Sequence, residues 1–360
     1  MSLLREYSGD EGDAGAAGDA ESRGGGRGGG ATGGARLVRA DGALRRRALL
    51  KAAPAALLGV AGCAGGKPAT APSSARPGAS ETARQLPTVG TWRPSPGDVQ
   101  PDVKARAVEL VRAIGAWPTG ERDAAMARVG ALGLSPTLVD QAGALRPGGT
   151  AAVLEVVDAQ YGGILADAAS VLVVCRQWVQ RADGRVLAGG TTVDVRLRRA
   201  SPRWTVTALH PAAPGAPAAA PGEAARRVLA AGPAIELPPA AAADVRSGAV
   251  HTSVLEALLE LSRKHRLAVS VVRSGHPLDV FGTDRPSDHP RGRAVDVWRI
   301  DGHAVVDPAT PRQLVESVMR AAAAAGSYNV GGPFLLSGGT ADQFFSDATH
   351  HDHVHMGFRT

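Results

Sequence analysis

Cysteine is nearly absent. The 360-residue chain has two, Cys63 and Cys175, too few for a disulfide framework or a cysteine zinc cage. Any metal must therefore be held by histidine and carboxylate. Aromatic residues are also scarce, at 4% of the chain, so the cores are filled by alanine, valine and leucine. No uninterrupted apolar run reaches the roughly 20 residues needed to cross a bilayer, which excludes a multi-span membrane protein. Beyond the first 62 residues, neither a Lys/Arg-rich 5–8-mer nor a basic stripe interleaved with aromatics occurs. The formal charge of +6 is mild, and no nucleic-acid partner is expected. An anionic surface suits that charge equally well.

Glycine (46) and proline (25) are abundant, and they concentrate in the first hundred residues and in short connectors. Residues 1–63 read as a disordered start followed by an export signal. That signal runs from Arg45-Arg46-Arg47-Ala48-Leu49-Leu50-Lys51 through an apolar stretch to Ala61-Gly62-Cys63, the three parts of a secretory leader. Arg-Arg-x-Leu-Leu-Lys resembles the twin-arginine export motif, and Val60-Ala61-Gly62-Cys63 resembles a bacterial lipobox. The resemblance implies lipidation at Cys63 and an exported protein anchored at the outer face of the cytoplasmic membrane. A short core helix is the competing reading, opposed by Pro54 and the glycine-rich flank. The signal begins unusually far into the chain, which fits a true start at Val38.

Residues 64–100, rich in Pro, Ser, Thr and Ala, read as a disordered tether. In residues 101–213, Val103, Ala107, Leu110, Val111 and Ile114 recur at helical spacing, and a second helix is expected from Glu121 to Leu132. Strands follow at Ala169–Val179, Gly190–Leu197 and Arg203–Leu209, with a turn at Ala182-Asp183-Gly184. Helices followed by a curved antiparallel meander resemble the nuclear-transport-factor-2-like (NTF2-like) cone. No cluster of acid, base and nucleophile lies in this region, so it reads as an accessory domain, with a protein partner as one role for it. Residues 214–235 read as a linker. Residues 236–360 read as a small α+β domain in the order helix, strand, loop, strand, helix, strand, so the chain as a whole is of the α+β class. Its helices are expected to start at Ser253-x-x-Glu256 and at Thr310-Pro311-Arg312-Gln313.

Histidine carries the chemical signal. Nine of the ten histidines follow position 250, and His350, His351, His353 and His355 fall within six residues. In a strand, residues two apart share a face, so His353 and His355 project together while Asp352 and Val354 face away. His289 and Asp296 bracket Gly292 in a loop that enters the strand Ala294–Ile300. Imidazole and carboxylate suit Zn²⁺, whose catalytic sites take three protein ligands and leave a fourth position open.

Ser287-Asp288-His289-Pro290-Arg291-Gly292-Arg293-Ala294-Val295-Asp296 fills the pattern Ser-x-His-x-x-Gly-x-Ala-x-Asp, and His353-Val354-His355 fills His-x-His. Together they resemble the LAS superfamily of zinc peptidases, with its lysostaphin-type, D-Ala-D-Ala carboxypeptidase-type, murein endopeptidase and hedgehog-type members. The resemblance spans residues from about Ser253 to the end. It implies zinc held by His289, Asp296 and His355. His353 is then the unliganded base or oxyanion partner, and Asp352 is second in rank as base. Arg273-Ser274-Gly275 resembles the family's Ser-Gly-Tyr-Arg segment in a different order, which makes Arg273 a candidate for binding substrate; Ser287 is another. The function implied is a zinc-dependent carboxypeptidase or endopeptidase acting on peptidoglycan stem peptides. The alternative is a catalytically inactive, zinc-containing lipoprotein that binds the cell wall. His276, His303, His350 and His351 read as structural or solvent-facing, with a place near the site left open for His350.

Overall fold

The computed structural model describes residues 85–360, which belong to one compact unit. The export signal, Cys63 and most of the expected tether lie outside the described residues. The architecture is mixed α+β. The first half comprises α1 (Pro101–Gly115), α2 (Ala125–Ala131), β1 (Ala151–Ile164), β2 (Ala168–Gln180), β3 (Val186–Gly189), β4 (Thr192–Arg198) and β5 (Thr205–Pro211). Its strands form an antiparallel sheet in the order β1-β2-β4-β5, with β3 paired to β2. The apolar stripe of α1 covers one face of this sheet. Val103, Ala107, Leu110, Val111 and Ile114 are fully buried against Tyr161, Val171, Val173, Cys175 and Val195. Cys175 is a buried free thiol, pushed up from its ordinary pKa by desolvation.

Three features depart from the sequence reading. Residues 85–100 do not hang free, because Trp92 and Val99 pack on the first core and the Tyr161 hydroxyl lies 2.6 and 2.9 Å from the carbonyls of Val99 and Gln100. β1 has no counterpart among the three expected strands, since Glu155, Asp158, Gln160 and two glycines interrupt its apolar pattern. Residues 214–235 hold a helix instead of a bare linker.

That helix, α3 (Glu223–Ala230), opens the second half. β6 (Ile235–Glu236), α4 (Pro239–Ser247), α5 (Thr252–Leu261), β7 (Leu267–Val271), β8 (Ala294–Ile300), β9 (His303–Ala304), α6 (Arg312–Ala324), β10 (Asn329–Gly331), β11 (Phe344–Phe345) and β12 (Val354–Gly357) follow. The sheet runs β11-β10-β12-β8-β7-β6, with β9 on β8. The pairs β10/β11 and β6/β7 are parallel and the others antiparallel. Ala225 and Val228 of α3, Leu258 of α5 and Val318 of α6 join Val295, Val297, Val354 and Met356 in one apolar core. The expected side-chain caps do not form. Helix α5 starts from His251 and the Ser253 hydroxyl is buried without a partner, while the Thr310 hydroxyl bonds the Ala304 carbonyl at 2.6 Å.

The two halves dock closely. Leu172 and Val174 on β2 pack against Val271 on β7. At Gly163 an added Cβ would strike the Phe281 side chain, and at Gly162 it would come within 3.1 Å of Pro277 Cδ. Gly163→Val is therefore expected to lower stability by about 1–3 kcal/mol through overpacking, read as a drop in the urea midpoint; an unchanged midpoint would show that the contact between halves is loose.

Candidate metal centre

The site is built on two adjacent strands and one turn. Asp296 on β8 and His355 on β12 are cross-strand partners. Their neighbours Val295, Val297, Val354 and Met356 point into the apolar core, so the period-two alternation of a strand sends Asp296 and His355 to the opposite face. His289 arrives from the turn before β8, where the amides of Gly292 and Arg293 donate to the carbonyls of His289 (2.8 Å) and Asp288 (3.0 Å). Gly292 has φ +70°, and an added Cβ would collide with the Ala249 carbonyl oxygen. The Gly292 carbonyl also accepts from the His251 amide at 2.9 Å. The glycine of the motif is thus demanded both by backbone conformation and by space.

Three lone-pair atoms converge. His289 Nε2 lies 3.1 Å from Asp296 Oδ1 and 3.2 Å from His355 Nδ1, and His355 Nδ1 lies 3.0 Å from Asp296 Oδ1. The His289 Nδ1–H donates to the Val272 carbonyl at 2.9 Å, so Nε2 is left to share either a proton or a metal ion with the Asp296 carboxylate oxygen. His276, His289 and Asp296 also each offer a ligand atom within 4.8 Å of one another, a group that can hold a metal ion. The His276 ring, however, stacks on His289 at 4.1 Å with planes 17° apart. Imidazole lone pairs lie in the ring plane, and near-parallel planes do not meet at one ion.

Charge follows from this packing. Burial opposes ionisation of Asp296, but the imidazoles of His289 and His353, and hydrogen bonds from His289 and His355, hold its carboxyl well below the usual range. Burial lowers His355 to about 4. His353 is pushed up to about 8, because the charge of Asp296 and the hydrogen bond and charge of Asp352 outweigh its burial.

His353 Nε2 lies 3.7 Å from Asp296 Oδ1, on the same side as His355, although His353 itself precedes the strand. Asp352 departs from that reading. β12 begins only at Val354, so residues 350–353 form a turn and Asp352 Oδ1 accepts from His353 Nδ1 at 2.6 Å. Its Oδ2 takes the Lys104 ammonium at 2.6 Å and the Tyr161 amide at 3.0 Å, both from the first half. Asp352 thus engages the remote nitrogen of His353 and not the ligand triangle. Burial opposes its charge, but Lys104 and His353 bring its pKa to about 2.

A cavity of about 460 Å³ opens beside these groups, lined by Tyr161, Gly163, Phe281, Tyr328, His350 and His353 among others. Ser287 lines it, and its hydroxyl receives the His289 amide at 3.3 Å. Arg273 is not brought to this site. It faces a neighbouring cavity of about 820 Å³, with its guanidinium 3.6 Å from Asp244, because the buried Asp244 carboxylate also captures the amides of Arg273 and Ser274. His276 and His350, read as structural or solvent-facing, line the first cavity, and the His350 ring sits 5.3 Å from that of His353. Lys104 and Gln160 were missed as well. Their signals were a lysine within the apolar stripe of α1 and a glutamine in an otherwise buried strand, neither of which points to a partner in the other half of the chain.

The Lys104 ammonium is enclosed by Asp98, Asp352 and Asp158; burial opposes its charge, but these carboxylates raise its pKa. Asp158 in turn is pushed up to about 7, first by desolvation, and its Oδ2 is buried without a partner. A carboxyl whose folded pKa exceeds its unfolded value destabilises the fold as pH rises from the unfolded value of about 4 toward the folded one. Asp158→Asn is therefore expected to match the parent near pH 4 and to become the more stable, by on the order of 2–4 kcal/mol, above pH 7. Thermal melts across that range check this, and a parent that stays as stable as the variant at pH 8 would refute it.

No family model, curated protein or solved structure matches the chain. Among the described residues no helix is long and apolar enough to cross a membrane.

Proposed function

We propose that the chain is a zinc-dependent peptidase that hydrolyses amide bonds in peptidoglycan stem peptides, exported and held at the membrane by lipid on Cys63. In this reading the first half is an NTF2-like cone and the second a hedgehog/D-Ala-D-Ala-peptidase-like domain. The observation that carries it is the triangle of His289 Nε2, Asp296 Oδ1 and His355 Nδ1, with edges of 3.0–3.2 Å, at the wall of a cavity. Tetrahedral zinc with bonds near 2.0–2.1 Å separates its ligand atoms by about 3.3 Å, so the donor set fits in both size and chemistry. The ligands are taken to be His289, Asp296 and His355, with His276 stacked outside them.

Bound zinc would supply Lewis acidity, polarising the scissile carbonyl and acidifying a water molecule. The chain's own groups manage position and protons. Asp352 accepts the Nδ1–H of His353 and so presents Nε2 to the cavity, where the neutral form of the ring, dominant above its pKa of about 8, takes the proton of the attacking water and returns it to the departing amine. Lys104 keeps Asp352 ionised for that task. Tyr161, Phe281, Tyr328 and Phe345 enclose the substrate in low-polarity walls, which strengthens each electrostatic contact.

The test is metal analysis of the purified chain together with mass spectrometry of muropeptides incubated with it. One zinc per chain and products differing by hydrolysis of a single amide bond are expected. A chain that takes up no zinc would refute the reading.

A further inference from the structure

The first half reaches the ligand triangle itself. Gln160, near the end of β1, is fully buried, and its Nε2 donates to Asp296 Oδ2 at 2.7 Å across 136 residues of sequence. Its Oε1 receives the Ser270 hydroxyl of β7, and Ser270 is also fully buried. These two contacts fix which way the amide points, since only an N–H can satisfy a carboxylate oxygen and only the carbonyl end can accept from a hydroxyl.

We propose that Gln160, supplied by the first half of the chain, is a positioning residue of the metal centre: it engages Asp296 Oδ2 and so leaves Oδ1 alone to face the ion. The inference rests on reading the triangle as a metal site. With Oδ2 occupied, Asp296 is held as a one-oxygen ligand. Rotating it to offer both oxygens would leave the buried Gln160 amide without an acceptor. Partners of this kind, bonded to a ligand and not to the ion, typically change metal affinity by about 10–100-fold when removed. The first half is then part of the metal site, because the residue that orients one of its ligands belongs to another sheet.

Cobalt(II) is the probe, since its visible bands report ligand number and geometry without any need for turnover. The full chain, Gln160→Met and Ser270→Ala are each titrated with Co²⁺ and then challenged with a chelator. Methionine keeps the volume of glutamine and loses its N–H, so a role confined to packing predicts an unchanged titration. The expected result for Gln160→Met is a dissociation constant raised about 10–100-fold with altered band positions. Ser270→Ala, which frees the amide to turn over, is expected to give a smaller shift in the same direction. If Gln160→Met fails to fold by circular dichroism, Ser270→Ala carries the test, and wild-type affinity and bands in that variant overturn the proposal. Wild-type bands and affinity in a folded Gln160→Met also overturn it, while the metal-centre reading stands. A parent chain that binds no cobalt overturns both.

Discussion

Replacing His289 with alanine is expected to reduce zinc content from about one per chain to less than a tenth, and to abolish muropeptide cleavage. The ring makes three contacts that no neighbour can replace. Its Nδ1 is fixed by the Val272 carbonyl, its Nε2 forms two edges of the ligand triangle, and its face carries the stacked His276 ring. Without it, Asp296 and His355 offer two donors, below the three that a catalytic zinc retains. The His276 ring is stacked parallel to His289 and so does not aim its lone pair at the triangle. The measurement is elemental analysis of dialysed protein beside an activity assay. Full zinc content in the variant would mean that the ion sits elsewhere, and the assigned ligand set would be wrong.

His353→Gln is expected to separate binding from chemistry. Nε2 of His353 is 3.7 Å from Asp296 Oδ1, close enough to serve the cavity but not a corner of the triangle, so zinc content should be unchanged. Turnover should fall by about 10²–10⁴, the usual contribution of a positioned acid–base group, with KM little altered. A wall-binding protein without catalysis predicts a different outcome, in which the parent has no turnover to lose and the variant keeps its affinity for stem peptides. Asp352 and Lys104 act behind His353: the carboxylate is buried between the imidazole and the ammonium, so any loss on altering them should be of turnover while metal is retained.

Much of the second half is legible in the sequence because its signals are short-ranged. Strands β7 and β8 and helices α5 and α6 fall where apolar periodicity places them. Gly292 turns the chain as a glycine must at positive φ, and His353 and His355 share a side. The local caps fail for a local reason: the Ser253 hydroxyl is buried without a partner, and Thr310 finds the Ala304 carbonyl instead. β1 stayed hidden because the residues that break its apolar pattern serve the other half. Gln160 bonds Asp296, and the Tyr161 amide bonds Asp352. The partner of Arg273 was equally illegible, because Asp244 lies on a helix that apolar periodicity did not mark.

By itself the sequence determined which side chains are candidates for the site: a glycine turn delivers His289 ahead of Asp296, and the close spacing of His353 and His355 keeps them neighbours. Those relations depend on bond geometry over a few residues and hold in any context that forms the turn and the strand. Only the tertiary structure decided that Arg273 turns toward Asp244, that His276 stacks outside the triangle, and that Lys104 and Gln160 belong to the site. These outcomes depend on how two sheets dock. Docking is set by the sum of many apolar contacts and close glycine approaches, none of which is written in the spacing of any single motif.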